Sequence, residues 1–242
     1  MRQISILIAM FAAIVVAVVI GCASQDRADS SSPFSSSSFG GGGFGGLPSV
    51  GGSSSKVTPP DPPPQVDPQA PDQFRVRFST TKGDFVAEVN RAWAPRGADR
   101  FYQMVNAGFF QDIVIFRAVE NFMFQFGIHD SAQVNEQWGD AKIPDDPRAG
   151  IANVTGTLSF ANSGPNTRST QMFVNLGRNA PLDAQGFTPF AKVVEGLDVC
   201  LKINTEYGEN ERGVQGKFRT KGNDYILKEY PRLDIIRSVS IE

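Results

Sequence analysis

The sequence predicts a mainly β globular domain that follows a long segment unable to fold alone. Short runs of alternating apolar and polar residues recur from Gln73 to the C-terminus, with turn residues between them, and residues 23–72 are rich in Ser, Gly and Pro. Many short strands separated by turns are typical of a closed antiparallel barrel or of a sandwich. Two main helices are too few to cover both faces of a parallel sheet.

The composition excludes several classes of function. The chain has 242 residues, a formal net charge of −2, two cysteines and one histidine. A near-neutral chain lacks the basic patch that nucleic-acid binding requires, so we expect no nucleic-acid partner. Cys22 and Cys200 cannot build a disulfide framework, and His129 alone cannot supply a His-based zinc site, so we expect no metal and no cofactor. We interpret His129 as a loop residue and Cys200 as a small buried apolar residue.

Residues 1–21 form a predicted signal peptide. Arg2 precedes the uncharged stretch Ile4–Ile20, and Val19-Ile20-Gly21-Cys22 resembles a bacterial lipobox, which predicts lipidation of Cys22. An uncleaved membrane anchor is the first alternative and a plain secreted protein the second. The lipobox implies a lipoprotein of the bacterial cell envelope, held to the membrane through Cys22. Ala23 and Ser24 lack the aspartate associated with inner-membrane retention, which favours the outer membrane.

Residues 22–72 form a predicted disordered linker. Its first part, Ser30–Gly46, is a flexible Gly/Ser coil, and its second part, Thr58–Pro71, is a stiffer Pro-rich spacer. The linker holds residues 73–242, the predicted globular domain, away from the membrane.

Alternation, turn residues and helical spacing give the elements of residues 73–242 in order. Phe74–Phe78 and Phe85–Val89 alternate on either side of a turn at Gly83, which predicts a hairpin. Pro95 begins a helix over Arg96–Asn106 that Gly108 ends. The further predicted strands are Ile113–Arg117, Phe122–Gln125, Thr157–Ala161, Gln171–Val174, Pro189–Val194 and Asp234–Ile241. The further predicted helices are Leu197–Asn204 and Asn223–Tyr230.

Three segments in this part of the chain resemble the cyclophilins, a family of peptidyl-prolyl cis-trans isomerases. They are "FRAVENFMFQFG" (Phe116–Gly127), "SFANSGPNTRSTQMFVNL" (Ser159–Leu176) and "PLDAQGFTPFAKVVEG" (Pro181–Gly196), and they follow the family's order and spacing. The likeness covers about Phe74–Glu242. It implies a closed eight-stranded antiparallel barrel capped by two helices, with the site on the outer face.

The resemblance also implies roles for ten residues. Arg117 falls on the family's catalytic arginine. The residues that fall on its substrate-binding positions are Phe122, Met123, Gln125, Ala161, Asn162, Gln171, Phe173, Leu182 and Phe187. Taken singly, Arg117 would be a solvated charge, the phenylalanines and Met123 core residues, and the glutamines surface residues.

Several positions depart from the family pattern. Phe116 replaces the histidine beside the catalytic arginine, Phe126 and Ala191 replace glycines, and Pro181 stands where many members have tryptophan. Asn153-Val154-Thr155 is a glycosylation sequon, which has no meaning in a bacterial lipoprotein.

These features predict a monomeric, membrane-tethered prolyl isomerase that acts on proline-containing polypeptides and assists the folding of exported proteins. A low-activity binding module for proline peptides on the same scaffold is the first alternative. An envelope-structural role in which the tether matters most is the second.

Overall fold

The computed structural model describes residues 60–64, 68–208 and 215–242. Its first hairpin follows directly from side-chain alternation. Strand β1 (Gln73–Thr80) buries every second residue, and β2 (Gly83–Asn90) returns beside it. Gly83 has a φ of 119°, which glycine adopts without strain. Phe78 pairs with Phe85, and their rings stack at 4.5 Å, so the predicted hairpin is confirmed.

The remaining elements follow along the chain. The helices are α1 (Pro95–Asn106), α2 (Ala132–Asp140), α3 (Ala180–Ala184), α4 (Leu197–Cys200) and α5 (Gln215–Glu229). The strands after the hairpin are β3 (Ile113–Val114), β4 (Arg117–Val119), β5 (Met123–Phe126), β6 (Thr157–Phe160), β7 (Met172–Asn175), β8 (Pro189–Glu195) and β9 (Ile235–Ile241).

All strands belong to one antiparallel sheet, whose order is β3-β9-β1-β2-β8-β6-β7-β5-β4. The two ends of this order, β3 and β4, are consecutive in the chain and separated only by Ile115 and Phe116. The segment therefore pairs with β9 at its start and with β5 at its end, which joins the two edges of the sheet. Counted as one bent strand, it gives the eight strands that were predicted, and the mainly β, cyclophilin-like fold is confirmed.

The helices differ from the prediction in four places. Helix α3 was not predicted. The predicted helix at Leu197–Asn204 is shorter and ends at Cys200. The predicted helix at Asn223–Tyr230 is the second half of α5, which begins at Gln215 and is interrupted at Gly222, where φ is 74°. Helix α2 was not predicted, although Ser131 gives a local signal for it, since the side chain accepts a hydrogen bond from Val134 N at 3.4 Å.

The interior of the sheet is filled with phenylalanine rings. The fully buried rings that each contact at least one other ring include Phe78, Phe85, Phe101, Phe110, Phe124, Phe126, Phe160 and Phe190. Cys200 also belongs to this core, as predicted, and burial raises the pKa of its thiol to about 12. A thiol with so high a pKa stays protonated at neutral pH and is a poor nucleophile.

A second apolar cluster lies against the strands β3 and β9 and is formed with α5. Its buried members are Val114, Phe116, Ile128, Phe218, Ile226, Leu233 and Ile235. Phe116 and Phe218 are each 1% exposed, and their ring centroids are 6.1 Å apart. Helix α5 therefore covers Phe116, the residue directly before β4.

Two short parts of the predicted linker contact the domain. The indole Nε1 of Trp138 donates a hydrogen bond to the carbonyl oxygen of Asp61 at 3.1 Å. Ala70 is buried, and its amide donates to Asp99 Oδ1 at 2.8 Å. The predicted signal peptide, Cys22 and the Gly/Ser coil lie outside the described residues. Within the described ranges, no helix combines the length and the apolar character that crossing a membrane would require.

Candidate active site

Alternation along three neighbouring strands places two sets of side chains on opposite faces of the sheet. On β5, Phe124 and Phe126 belong to the phenylalanine core, whereas Met123 and Gln125 point to the other face. Strand β7 repeats the pattern, because Phe173 lies between the core residues Met172 and Val174. On β4, Ala118 is a core residue and Arg117 lies on the outer side. The outer face of β4, β5 and β7 therefore carries a guanidinium, an amide and an apolar surface together.

Strand register aligns these side chains in one row across the sheet. Arg117 is paired with Gln125, Gln125 with Phe173, and Phe173 with Ser159. Directly opposed residues on antiparallel strands have Cβ atoms about 4.5–5.5 Å apart, so their side chains contact each other. The row thus brings together residues from four strands without help from any loop.

The guanidinium of Arg117 is held by a chain of hydrogen bonds. Its Nη1 donates to Gln125 Oε1 at 3.1 Å, and Gln125 Nε2 donates to Gln171 Oε1 at 2.8 Å. The guanidinium carbon also lies 5.8 Å from the centroid of the Phe122 ring, within cation–π range. Arg117 is 4% exposed, so this orientation is fixed by contacts on more than one side.

An apolar cluster lies on the same face of the sheet. Its buried members are Met123, Phe173, Leu182 and Phe187, and Val119, Phe122 and Ala161 pack against them. The rings of Phe173 and Phe187 meet edge to face with centroids 5.7 Å apart. We call these seven residues the apolar cluster. It is separate from the core inside the sheet, and it presents hydrophobic surface next to a fixed positive charge.

Ala161 and Asn162 follow β6 and form the edge of the site. The amide of Ala161 donates to the carbonyl oxygen of Gln171 at 2.9 Å, so it is used within the protein. Asn162 Oδ1 accepts from Gly164 N at 3.3 Å and stabilises the turn. A peptide that binds along this edge would therefore use backbone groups other than the Ala161 amide.

The loop between Asn162 and Gln171 is held by a buried ion pair that sequence reasoning missed. Arg168 Nη1 lies 2.8 Å from Asp146 Oδ2, and the two side chains are 6% and 0% exposed. Asp146 also accepts from the amides of Arg96 and Gly97, at 2.8 and 2.9 Å, in the first turn of α1. The carboxylate of Asp146 therefore connects this loop to the N-terminus of α1.

His129 lies in a loop, as predicted, with its ring 5.4 Å from that of Phe109. Its Nδ1 accepts a hydrogen bond from Ser131 N at 3.0 Å, which requires an unprotonated nitrogen. Burial lowers the pKa of the imidazole, and the nearby carboxylate of Asp130 offsets part of that effect. In the described ranges, no three His, Cys, Asp or Glu side chains come together as metal ligands would.

All ten residues singled out in the globular domain by sequence lie in or beside this row and the apolar cluster. Arg117, Gln125 and Gln171 form the polar side. Phe122, Met123, Phe173, Leu182, Phe187 and Ala161 form the apolar side, and Asn162 lies at the edge. Lipidation of Cys22 stays a prediction, because that residue is not among those described.

Comparison with known proteins decides the family. Residues 75–228 match the model of the family described as "Cyclophilin type peptidyl-prolyl cis-trans isomerase/CLD". The chain belongs to the cyclophilin family. The match spans every residue of the candidate site, and the protein is therefore a peptidyl-prolyl cis-trans isomerase by family.

Individual cyclophilins agree with this assignment. The chain is 30% identical over 170 residues to the peptidyl-prolyl cis-trans isomerase-like 1 of Aspergillus oryzae, a match that covers 69% of this chain and 95% of the relative. It is 32% identical over 133 residues to a peptidyl-prolyl cis-trans isomerase of Acinetobacter baylyi, covering 53% of this chain and 70% of the relative.

A solved cyclophilin shows the same fold. The crystal structure of a cyclophilin-type isomerase from Cryptosporidium parvum superimposes with a TM-score of 0.52 at 18% identity and covers 70% of this chain and 98% of its own. The same protein has also been solved in the presence of the dipeptide Ala-Pro, with a TM-score of 0.50 against this chain.

Proposed function

We propose that this cyclophilin isomerises X-Pro peptide bonds in exported or envelope proteins, with Arg117 as the catalytic residue. The observation that carries the proposal is the fixed guanidinium of Arg117, hydrogen-bonded to Gln125 at 3.1 Å beside the apolar cluster. The apolar surface can hold a proline ring while the guanidinium beside it contacts the nitrogen of that ring.

The reaction needs a twisted peptide bond to be stabilised. Amide resonance gives the bond a rotation barrier of ~18–20 kcal/mol, and uncatalysed prolyl isomerisation takes tens to hundreds of seconds. When the bond is twisted by about 90° the resonance is lost, and the prolyl nitrogen regains a lone pair that accepts a hydrogen bond. A donor placed at that nitrogen binds the twisted state more tightly than either planar state and so lowers the barrier.

Arg117 suits this role because of its chemistry and its support. A guanidinium stays protonated and presents several N–H donors in a rigid plane. Gln125 accepts from one of its terminal nitrogens, which fixes the plane while the other donors face different directions. No nucleophile, base or cofactor takes part, since no covalent bond is made or broken.

The apolar cluster and the amide side chains orient the substrate. Phe173, Leu182 and Phe187 offer the buried apolar surface that a pyrrolidine ring requires. Gln171, which is partly exposed, lies at the end of the hydrogen-bond chain from Arg117 and can contact the peptide backbone beside the proline. The proline ring is thus held on the apolar side while its nitrogen faces the guanidinium.

We further propose that the domain acts at the bacterial envelope through a lipid on Cys22. The support is the sequence alone: an uncharged Ile4–Ile20, the lipobox-like Val19–Cys22 and a long Ser/Gly/Pro-rich linker before the domain. Cys22→Ser tests this part by itself. The substitution should release the chain from membranes and abolish incorporation of a labelled fatty acid, while isomerase turnover stays unchanged.

The activity is tested with the full chain in detergent and a proline-containing peptide, by NMR exchange between cis and trans signals. We expect the exchange rate to rise in proportion to enzyme concentration. Peptide binding without any acceleration of exchange would instead favour the binding module and contradict the proposed isomerase function.

A further inference from the structure

A group of fully buried polar side chains lies beneath the apolar cluster. Asn153, Ser159 and Asn175 are 0% exposed, and Asn179 is 7% exposed. A buried amide without partners costs several kcal/mol, so such groups persist only when hydrogen-bonded. This group is on the outer side of the sheet, since Ser159 belongs to the same row as Arg117 and Phe173.

Asn153 is the centre of the group, and its side chain uses every hydrogen bond that an amide can make. Nδ2 donates to Asp183 Oδ1 and to the carbonyl oxygen of Phe187, both at 2.8 Å. Oδ1 accepts from Ser159 Oγ at 2.9 Å and from Asn175 Nδ2 at 3.2 Å. Two donors and two acceptors are the full capacity of an asparagine side chain.

The backbone of Asn153 adds two further bonds. Its N–H donates to Asp183 Oδ1 at 2.7 Å, and its carbonyl oxygen accepts from Asn179 N at 2.8 Å. Asn179 in turn donates from Nδ2 to Asn175 Oδ1 at 2.6 Å and to the carbonyl oxygen of Phe122 at 2.7 Å. Asn153, Asn175, Asn179 and Asp183 therefore form one connected network, which we call the asparagine network.

Three walls of the apolar cluster are attached to this network through their backbones. Phe187 is bonded by its carbonyl oxygen to Asn153, and Phe122 by its carbonyl oxygen to Asn179. Leu182 precedes Asp183 in α3, and its carbonyl oxygen accepts from Phe187 N at 3.2 Å. No strand pairing holds α3 and Phe187 in place, so the hydrogen bonds of the asparagine network hold this segment against the sheet.

We propose that Asn153 is a positioning residue that sets the spacing between Phe122, Leu182 and Phe187, and thereby the fit of the proline ring. It acts through these walls and does not touch the substrate. The proposal rests on the proposed function, because it assigns the apolar cluster to proline binding. Asn153 is also the asparagine of the sequon. Because its amide is 0% exposed and makes all its hydrogen bonds within the protein, it cannot accept a glycan in the folded chain.

The chemistry of the site explains why asparagine is required. Aspartate would lose the donors to Asp183 and Phe187 and would place a second carboxylate against that of Asp183. Alanine would remove the amide donor to the Phe187 carbonyl oxygen and the acceptor of the Ser159 hydroxyl, whereas Asn175 would keep its bonds to Thr157. Neither residue can bond to Asp183 and Phe187 at the same time.

The test compares Asn153→Ala with Asn135→Ala in the full chain. Asn135 is a matched control, since it is 6% exposed and bonds to His129 N, His129 O and Arg219 O, with no bond to the apolar cluster. We expect Asn153→Ala to raise KM for a proline peptide about fivefold or more with kcat within about twofold, and Asn135→Ala to change neither. Equal KM in wild type and Asn153→Ala would overturn the proposal, as would an equal rise of KM in Asn135→Ala.

A second variant covers the case in which Asn153→Ala does not fold. Asn179→Ala removes the bond to Phe122 alone among the three walls, so it should raise KM by a smaller factor and shift the NMR signals of the Phe122 ring. If Asn179→Ala left both KM and those signals unchanged, the proposal would be wrong.

Peptide affinity separates this proposal from the proposed function. If the wild-type chain binds a proline peptide but does not accelerate exchange, the isomerase function fails, yet Asn153→Ala should still weaken the Kd about fivefold. An unchanged Kd in that situation would refute the positioning role itself.

Discussion

Arg117 donates from Nη1 to the side-chain oxygen of Gln125, the residue directly opposite it on the neighbouring strand, at 3.1 Å. The contact is made between two regular strands, so the guanidinium is held by the sheet and not by a mobile loop. Sites built on strands are held more precisely than sites built on loops. The position of the Arg117 guanidinium therefore depends on Gln125 and on the residues that pack against the start of β4.

Gln125→Leu tests the first of these supports. The substitution removes the acceptor that fixes the Arg117 plane but keeps a buried side chain of similar size, and we expect kcat to fall about tenfold, since a hydrogen bond to a charged group contributes about 1.5–3 kcal/mol. Gln103→Leu is the matched control, because Gln103 is 7% exposed and lies in α1. If steady-state kinetics showed the same kcat in both variants, Gln125 would have no role in orienting Arg117 for catalysis.

Phe218→Ala tests the second support. Phe218 packs on Phe116, which immediately precedes Arg117, with centroids 6.1 Å apart. We expect the free energy of unfolding to fall by about 3–5 kcal/mol, and kcat per folded molecule to fall as β4 loses its cover. Phe74→Ala, in the main core, is the comparison: it should destabilise the chain but leave kcat unchanged. Equal kcat values for the two variants, measured where both are folded, would contradict a role for α5 in positioning Arg117.

Much of this arrangement could be predicted from the sequence, because it is encoded locally. The alternation of Phe74–Phe78 predicts β1, and the resemblance of the segments around Arg117, Gln125 and Phe173 to the cyclophilins implies which strands carry the site. The sheet then brings those residues together by register alone.

What could not be predicted depends on partners far apart in the chain. The pair Asn153–Asp183 is separated by 30 residues and the pair Arg168–Asp146 by 22, and no local pattern marks either of them. The first half of α5 was missed for the same reason. One of its contacts is the bond between the Arg219 carbonyl oxygen and Asn135 in α2, which is 84 residues away.

Breaking the buried ion pair of the site loop should be costly. Asp146→Ala leaves Arg168 with only the longer pair to the half-exposed Asp145 and removes the acceptor for two amides of α1, so we expect a loss of about 3–5 kcal/mol in the free energy of unfolding. Asp198→Ala is the control, since its pair with Lys202 is exposed and should contribute no more than about 1 kcal/mol. Urea denaturation measures the free energy of unfolding of both variants. Similar losses in the two would show that the buried pair of Asp146 contributes no more to stability than the exposed pair of Asp198.

Stability should depend on pH through His129. Burial lowers its pKa below the ordinary value of 6.5, so just below pH 6.5 the unfolded chain binds more protons than the folded chain. The contribution of His129 to the free energy of unfolding is therefore largest above pH 6.5. It falls as the pH drops below that value, and it stops changing once the pH is below the pKa of His129 in the folded chain. His129→Asn keeps an acceptor for Ser131 N and does not titrate. Denaturation between about pH 5 and 7 should show a shallower slope for this variant, and parallel slopes would contradict the assignment.

In the proposed reaction the guanidinium of Arg117 stabilises the twisted peptide bond. Cis-trans exchange of a proline peptide, followed by NMR with the full chain in detergent, tests it through Arg117→Ala and Arg117→Lys, with peptide affinity measured in the same samples. We expect kcat to fall by a factor of about 10²–10³ in Arg117→Ala and by a smaller factor in Arg117→Lys, with peptide affinity within about threefold of wild type in both. Turnover by Arg117→Ala equal to that of the wild-type chain would contradict it.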